Sequence, residues 1–366
     1  VPSPTRSARD PRIDLLRGLA LITIYIDHVP ENPLTLLTMR NFGFADAAEL
    51  FVILAGISSM TAYGRCFERD GARSGLQRVL LRCLKIYLFQ VALLLTTLAI
   101  VHIWRMQFGL EPQHLAPFFK HPLVAIGQAL ALRALPASLN ILPLYVVLLG
   151  LFPVIYAGVR YVPWVAVPAS AALWVAANLD RDLNLTNWLD GQGWFFNPFA
   201  WQFLFTLGVL GSMALRANGG ELPRQRWLVG AAWAWLGATL VLAAPWAAWG
   251  LDLHLFVLAP PDKTALAPVR LLDILAFVYL ALSSQGLRRL AGQGWAQAVV
   301  ACGKHSLEIF ATATLIALVF RLLFRTYGPL WQLQVLVNLI GIGGMVMLAW
   351  TLERRGAMAF HRPAPA

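Results

Sequence analysis

Arg17 and His28 stand 11 residues apart in the apolar stretch RGLALITIYIDH. On an α-helix, 100° per residue brings them to within about 20° of each other and sets them about 16 Å apart along the axis. A guanidinium and an imidazole therefore share one helix face, and Asp14 falls within about 40° of it. Asp27 does not, and as the direct neighbour of His28 it cannot easily turn to pair with the imidazole. A cation at one end of a stripe and a titratable base at the other suit an anionic substrate that threads from the cation toward the base. The plainer account makes Arg17 a snorkelling anchor and His28 an interfacial cap. The two residues alone leave both accounts open.

Asp46–Ala–Ala–Glu49 begins the next apolar run. D-x-x-E is the pattern of a capping box, which accounts for the two carboxylates as partners of helix-start amides. Glu49 also falls at the level of His28, where a carboxylate could orient the imidazole as in a triad. Gly56, Ser58 and Ser59 follow, small enough for close helix packing. Ser58 lacks the G-x-S-x-G surroundings of an elbow nucleophile. Lys263, Arg270 and Asp273 form a second polar group, in which Arg270 and Asp273 are i,i+3 and placed to pair. In GKHSLE, Lys304 and Glu308 are i,i+4 and placed to neutralise each other, beside His305. His102, His114, His121 and His254 are expected in outer loops without a close ligand pair. Cys66, Cys83 and Cys302 have no metal-site spacing, so no metal is expected.

These polar residues sit in a chain of 366 residues that is 58% hydrophobic and 13% charged, with 14 Trp and 20 Phe. Soluble domains carry about 25% charged residues. The composition excludes a disordered chain and points away from a soluble globule. The expected fold class is all-α: a polytopic membrane protein with about ten transmembrane helices of roughly 20 residues each, forming a single integral-membrane domain over 1–366. The spans are expected at 13–29, 45–64, 84–103, 140–159, 162–178, 199–215, 227–249, 269–287, 298–320 and 329–350.

Net charge is +11, from 29 Lys+Arg against 18 Asp+Glu. The basic residues fall at every second loop: Arg6, Arg9 and Arg12; Arg65, Arg69, Arg73, Arg78, Arg82 and Lys85; Arg160; Arg216, Arg224 and Arg226; Arg288 and Arg289; Arg354 and Arg355. That is the positive-inside pattern, with both termini cytoplasmic, and no nucleic-acid partner is expected. Residues 123–135 are apolar but too short to span comfortably, and counting them as a span would turn every later basic loop outward. They read as one extra amphipathic or re-entrant helix on the outer side. The first apolar run ends in Asp27–His28 without a small-residue cleavage site, so it reads as a retained span. The outer loops hold Trp188, Trp194, Phe195, Phe196, Asn197, Asp180, Asp182 and Asp190, which suit either a sugar or an interfacial aromatic belt.

R-x10-H within RGLALITIYIDH resembles the signature of the membrane acyltransferase-3 superfamily. RIDLLRGLALITIYIDHVPENPL, RNFGFADAAELFVILAG, ILPLY at 141–145, WFFNPFAWQFLF at 194–205, DKTALAPVRLLDILA at 262–276 and GKHSLEIF at 303–310 resemble the OpgC family, in the family's order from end to end. The resemblance implies a membrane O-acyltransferase of the bacterial inner (cytoplasmic) membrane. It would move an acyl group, succinyl by family association, from cytoplasmic acyl-CoA to hydroxyls of a periplasmic β-glucan. Succinyl-CoA is then the donor substrate and no cofactor is bound. The bilayer is one partner; glucan-synthesis proteins or a second copy of the chain are the expected protein partners. His28 matches the superfamily's catalytic histidine, Arg17 its companion arginine, and Glu49 the acidic residue that opens an apolar run. Asp14, Lys304 and His305 are carried as donor-binding candidates by position. A succinyl carboxylate needs a cation, for which Arg40, Lys263 and Arg270 are the candidates. A transporter or flippase, or a non-catalytic subunit of a glucan-synthesis complex, are the competing classes.

Overall fold

A computed structural model of the chain describes residues 10–109, 112–251, 258–328 and 330–360, with side chains to residue 355; Arg6, Arg9 and His254 lie outside the described residues. Asp10 starts α1 (Pro11–His28), its carboxylate accepting from the Arg12 amide, with proline in the first turn where no amide is needed. The D-x-x-E capping box forms as expected and opens α2 (Ala47–Ser59), which runs on through a π-turn over Met60–Gly64 into α3 (Arg65–Arg69). Gly71 begins the long α4 (Gly71–Phe108), which stops where Gly109 turns left-handed at φ 67°. Two short helices follow, α5 (Ala116–Lys120) and α6 (Pro122–Leu130), then α7 (Ile141–Tyr161), α8 (Pro163–Leu179) and α9 (Pro198–Ala217). The second half holds α10 (Arg226–Ala243), α11 (Pro268–Leu282), α12 (Gln285–Ala291), α13 (Gln297–Lys304), α14 (Ser306–Tyr327) and α15 (Trp331–Phe360).

The described residues are all-helical apart from an isolated bridge between Thr186 and Gly193. Seven helices are long and apolar enough to cross a membrane, and an eighth if α11 and α12, bent by 73°, form one span. Ten were expected. The two remaining segments do form helices, but α1 carries Arg12, Asp14, Arg17 and Asp27, and α8 has 17 residues. The expected outer helix is α6; nine residues rise about 14 Å, too little to cross. Three further expectations are corrected. Arg73, Arg78, Arg82 and Lys85 lie on the first turns of α4, not in a loop. His102 lies within α4 as well. The segment 298–320 is not one helix, because the chain breaks at His305 between α13 and α14.

The centre is α2, whose residues are buried on every face except Ser58. A helix apolar all round belongs in a core. It packs against α9 and α1, and α1 in turn packs against α13 and α14. Both main crossings are backbone-to-backbone. A Cβ at Gly56 would strike the Phe205 carbonyl and one at Gly208 the Ile53 carbonyl. Gly18 meets the Val299 carbonyl in the same way and Gly303 the Asp14 carbonyl. The second crossing explains the break after Lys304, since α13 must lie flat on α1 before the chain continues into α14.

Overpacking a filled crossing costs about 1–3 kcal/mol. Gly56→Leu and Gly208→Leu are each expected to lower the thermal unfolding midpoint in detergent. Gly237→Leu, at a glycine with open space around it, should leave the midpoint in place.

Candidate active site

The residues singled out by sequence divide between the two ends of α1. At its N-terminal end a cavity of about 1230 Å³ opens between α1, the π-turn after α2, α4, α7, α9, α12 and α14. Arg17, Arg65, Arg69, Arg82, Arg216, Arg288 and Lys304 line it against two carboxylates, Asp10 and Asp14. Such a surplus of one sign in a walled cleft concentrates the field and attracts anions. Arg216 is tied to Glu68 at 2.7 Å, and Lys304 to Glu353 at 3.3 Å. His305 stands 3.4 Å from the same Glu353. The i,i+4 pairing of Lys304 with Glu308 does not occur; Glu308 is taken by Lys85 from α4 at 3.2 Å. Helix spacing made that pair available, but the break at His305 separates its two members.

Arg17 behaves differently from its neighbours. It is 7% exposed, its Nε has no hydrogen-bond partner, and among the described residues it has no acidic partner. Its guanidinium lies 5.9 Å from the centre of the Phe51 ring. Ser59, on the same wall, is also buried with an unpartnered hydroxyl. A buried cation without a counter-charge is costly unless a ligand supplies one.

His28 is the last residue of α1. Its Nδ1 is 2.6 Å from the Ile24 carbonyl, which can only accept, so Nδ1 carries the proton. That leaves Nε2 as the basic nitrogen. Glu49 does not orient this ring. One of its oxygens accepts the Asp46 amide at 3.0 Å. The other holds Arg270, at 2.7 Å from Nε and 2.6 Å from a terminal nitrogen. Backbone hydrogen bonding within α1 fixes the imidazole where a carboxylate was expected to do so.

Arg270 also reaches Asp46 at 3.2 Å, and Lys263 pairs with the same Asp46 carboxylate. Arg270 and Asp273 do not pair with each other. Asp273 accepts the amides of Phe44 and Ala45, both at 2.9 Å, and the Thr239 hydroxyl at 2.8 Å. The loop that carries Lys263 is held by three side chains from two helices, α8 and α9. Trp201 donates to the carbonyls of Lys263 and Thr264, Asn178 to that of Ala265, and Trp174 to that of Leu266. Leu266 is buried at φ 52°, a strained left-handed backbone that these bonds maintain. Lys263 Nζ sits over the rings of Phe195 and Phe196, at 6.0 and 5.6 Å. Arg40 is exposed on a short 3-10 turn, within electrostatic reach of Asp27, which accepts the Thr38 hydroxyl at 2.8 Å.

The sequence missed Arg321 of α14. It donates to the His28 carbonyl at 3.0 Å. Nothing in its local spacing points to a residue 293 positions away.

Breaking a buried ion pair by removing one partner costs about 3–5 kcal/mol, whereas replacing both by apolar groups is often neutral. Glu49→Ala and Arg270→Ala are each expected to lower the unfolding midpoint sharply. The Glu49→Met/Arg270→Met double variant should recover a large part of that loss in a double-mutant cycle of detergent melts.

No curated protein matches this chain. A family model described as OpgC protein matches residues 9–357, a stretch that runs from before α1 into the last helix and contains both ends of the site. The chain belongs to the OpgC family.

Proposed function

We propose that the chain is a multi-pass O-acyltransferase of the bacterial inner membrane. It moves a succinyl group from cytoplasmic succinyl-CoA to a hydroxyl of a periplasmic β-glucan, and uses no bound cofactor. Family membership supports a glucan-modifying role. The observation that carries the reading is Arg17, a buried guanidinium that lines a basic cavity and has no acidic partner among the described residues. It shares a helix face with an imidazole whose Nε2 is the basic nitrogen. The arginine-rich end is assigned to the cytoplasm by the positive-inside rule.

On this reading the phosphates of the donor rest among the cavity arginines, and Arg17 holds the anionic group that reaches deepest. The glucan hydroxyl attacks the thioester carbonyl while Nε2 of His28 takes its proton. The tetrahedral intermediate collapses, the C–S bond breaks, and the imidazolium returns the proton to the departing thiolate. A relay through an acyl-histidine would use the same Nε2. Asp14, Lys304 and His305 border the donor end. Glu49 and Arg270 act as positioning residues, because each is spent on the other.

A transporter is favoured by one observation, the 73° bend between α11 and α12, since broken helices line transporter sites. Purified protein in liposomes with radiolabelled succinyl-CoA inside and glucan outside separates the two. An acyltransferase moves label onto glucan with no other protein present; a transporter moves label across without attaching it.

His28→Ala is expected to lower glucan labelling by about 10²–10⁴-fold, the usual worth of a positioned acid–base group, and Arg17→Ala by about 10–100-fold, the worth of a charged hydrogen bond to the donor. Wild-type labelling by folded variants would refute the assignment. Arg69→Gln and Arg82→Gln, at the cavity wall, should instead raise KM for the donor with little change in kcat. The wild-type KM should itself rise with ionic strength, as for steered charged ligands.

A further inference from the structure

Four cations surround the outer end of α1; two are held in ion pairs and a third is exposed. Arg270 is neutralised by Glu49 and Asp46, Lys263 by Asp46, and Arg40 is exposed beside Asp27. Arg321 is the exception. It is half-buried on α14, its one hydrogen bond goes to the His28 carbonyl, and among the described residues it has no acidic partner. A carbonyl oxygen takes one of the five N–H donors of the guanidinium and none of its charge. Arg325, one turn further along α14, adds a second cation. His114 packs within reach of both and adds no counter-charge, since burial first, and then the two guanidiniums, hold its imidazole below the ordinary value.

A plain structural account exists, in which Arg321 caps the C-terminal carbonyls of α1. It explains the hydrogen bond and, through the helix dipole, part of the charge, and it leaves the other guanidinium N–H groups without a partner among the described residues. A neutral donor would satisfy that carbonyl without the cost of a half-buried cation.

We infer that Arg321 is the specificity residue for the acyl group, binding a free carboxylate at its far end while its reactive carbon lies at Nε2 of His28. This rests on the acyltransferase reading above. The class of acyl group it selects is a short dicarboxylic half-ester, and Arg321 replaces Lys263, Arg270 and Arg40 in that task. The geometry suits it, because the hydrogen bond to the His28 main-chain carbonyl holds the guanidinium at the residue that carries the base and leaves its remaining donors for a bidentate carboxylate.

The test uses the full chain in liposomes with succinyl-CoA and acetyl-CoA as alternative donors and a β-glucan as acceptor. Arg321→Gln keeps a donor for the His28 carbonyl and removes the charge. It should lower the ratio of succinyl to acetyl transfer by about 10–100-fold, the worth of a charged hydrogen bond. Arg321→Lys should keep most of the preference. Free succinate should compete with the donor in wild type and lose that effect in Arg321→Gln, whereas acetate should compete in neither. An equal fall with both donors, alongside an unchanged succinate effect, would make Arg321 a helix cap and overturn the inference. Wild-type protein that labels glucan with neither donor would instead overturn the acyltransferase reading itself. If Arg321→Gln does not fold, Arg321→Lys and the succinate competition in wild type decide: loss of preference in the lysine variant with no succinate effect overturns the proposal.

Discussion

The contact between Glu49 and Arg270 organises the end of this protein at which α1 finishes in His28. Both side chains are buried in an interior with little water to solvate them, so each requires the other. Meeting that requirement fixes the start of α2 against the start of α11. One turn further along α11, Asp273 takes the two amides that precede α2. The strand of chain from Phe44 to Glu49 is thereby clamped on both sides by a single helical turn. Asp46 extends the knot to Lys263, and Trp201 extends it from the Lys263 carbonyl to α9. A small set of polar contacts thus ties three helices and one strained loop into a rigid frame, close to the base at the end of α1.

That frame also gives meaning to what is left over. Much of the buried charge near the site is matched: Arg12 by Asp10 and two carbonyls, Asp273 by amides, Arg270 by two carboxylates. Arg17 and Arg321, one toward each end of α1, have no acidic partner among the described residues. A fold whose purpose was only to span a bilayer would have little reason to retain either, because each costs solvation that no internal partner returns. On the proposed reading, these two cations and the imidazole serve a donor that is negative at more than one place.

The parts of this arrangement that depend on local geometry were legible in the sequence. The common face of Arg17 and His28 follows from 3.6 residues per turn, and the capping box at Asp46 follows from its spacing. Composition gave the helical membrane class, and six quoted stretches gave the family. Partner choice was not legible, because it is settled by tertiary contact. Arg270 had Asp273 within reach on its own helix and pairs instead with α2; Lys304 had Glu308 and pairs instead with Glu353. Apolarity counts fail for α1, which falls short of a span because of Arg12, Asp14, Arg17 and Asp27, the charges on which the candidate site is built. Arg321 could be recognised only once α14 was seen to end beside His28.

The separation along α1 constrains the donor. Arg17 and His28 are about 16 Å apart along the helix axis. The cavity lined by Arg17 does not include His28 among its walls. Leu21 and Tyr25 lie between the two along α1 and are packed tight, and Phe51, in contact with Arg17, is two residues along α2 from Glu49. A compact anion bound at Arg17 would have no means of reaching the imidazole. A donor that keeps its phosphates among the arginines and carries its acyl group on a long, thin, uncharged arm would. On the proposed reading, the pantetheine arm of coenzyme A meets that demand, and the aromatic layer at Phe51 is what it must pass. On the same reading, the frame of Glu49, Arg270, Asp46 and Asp273 forms the far wall, against which the base is held when the thioester arrives.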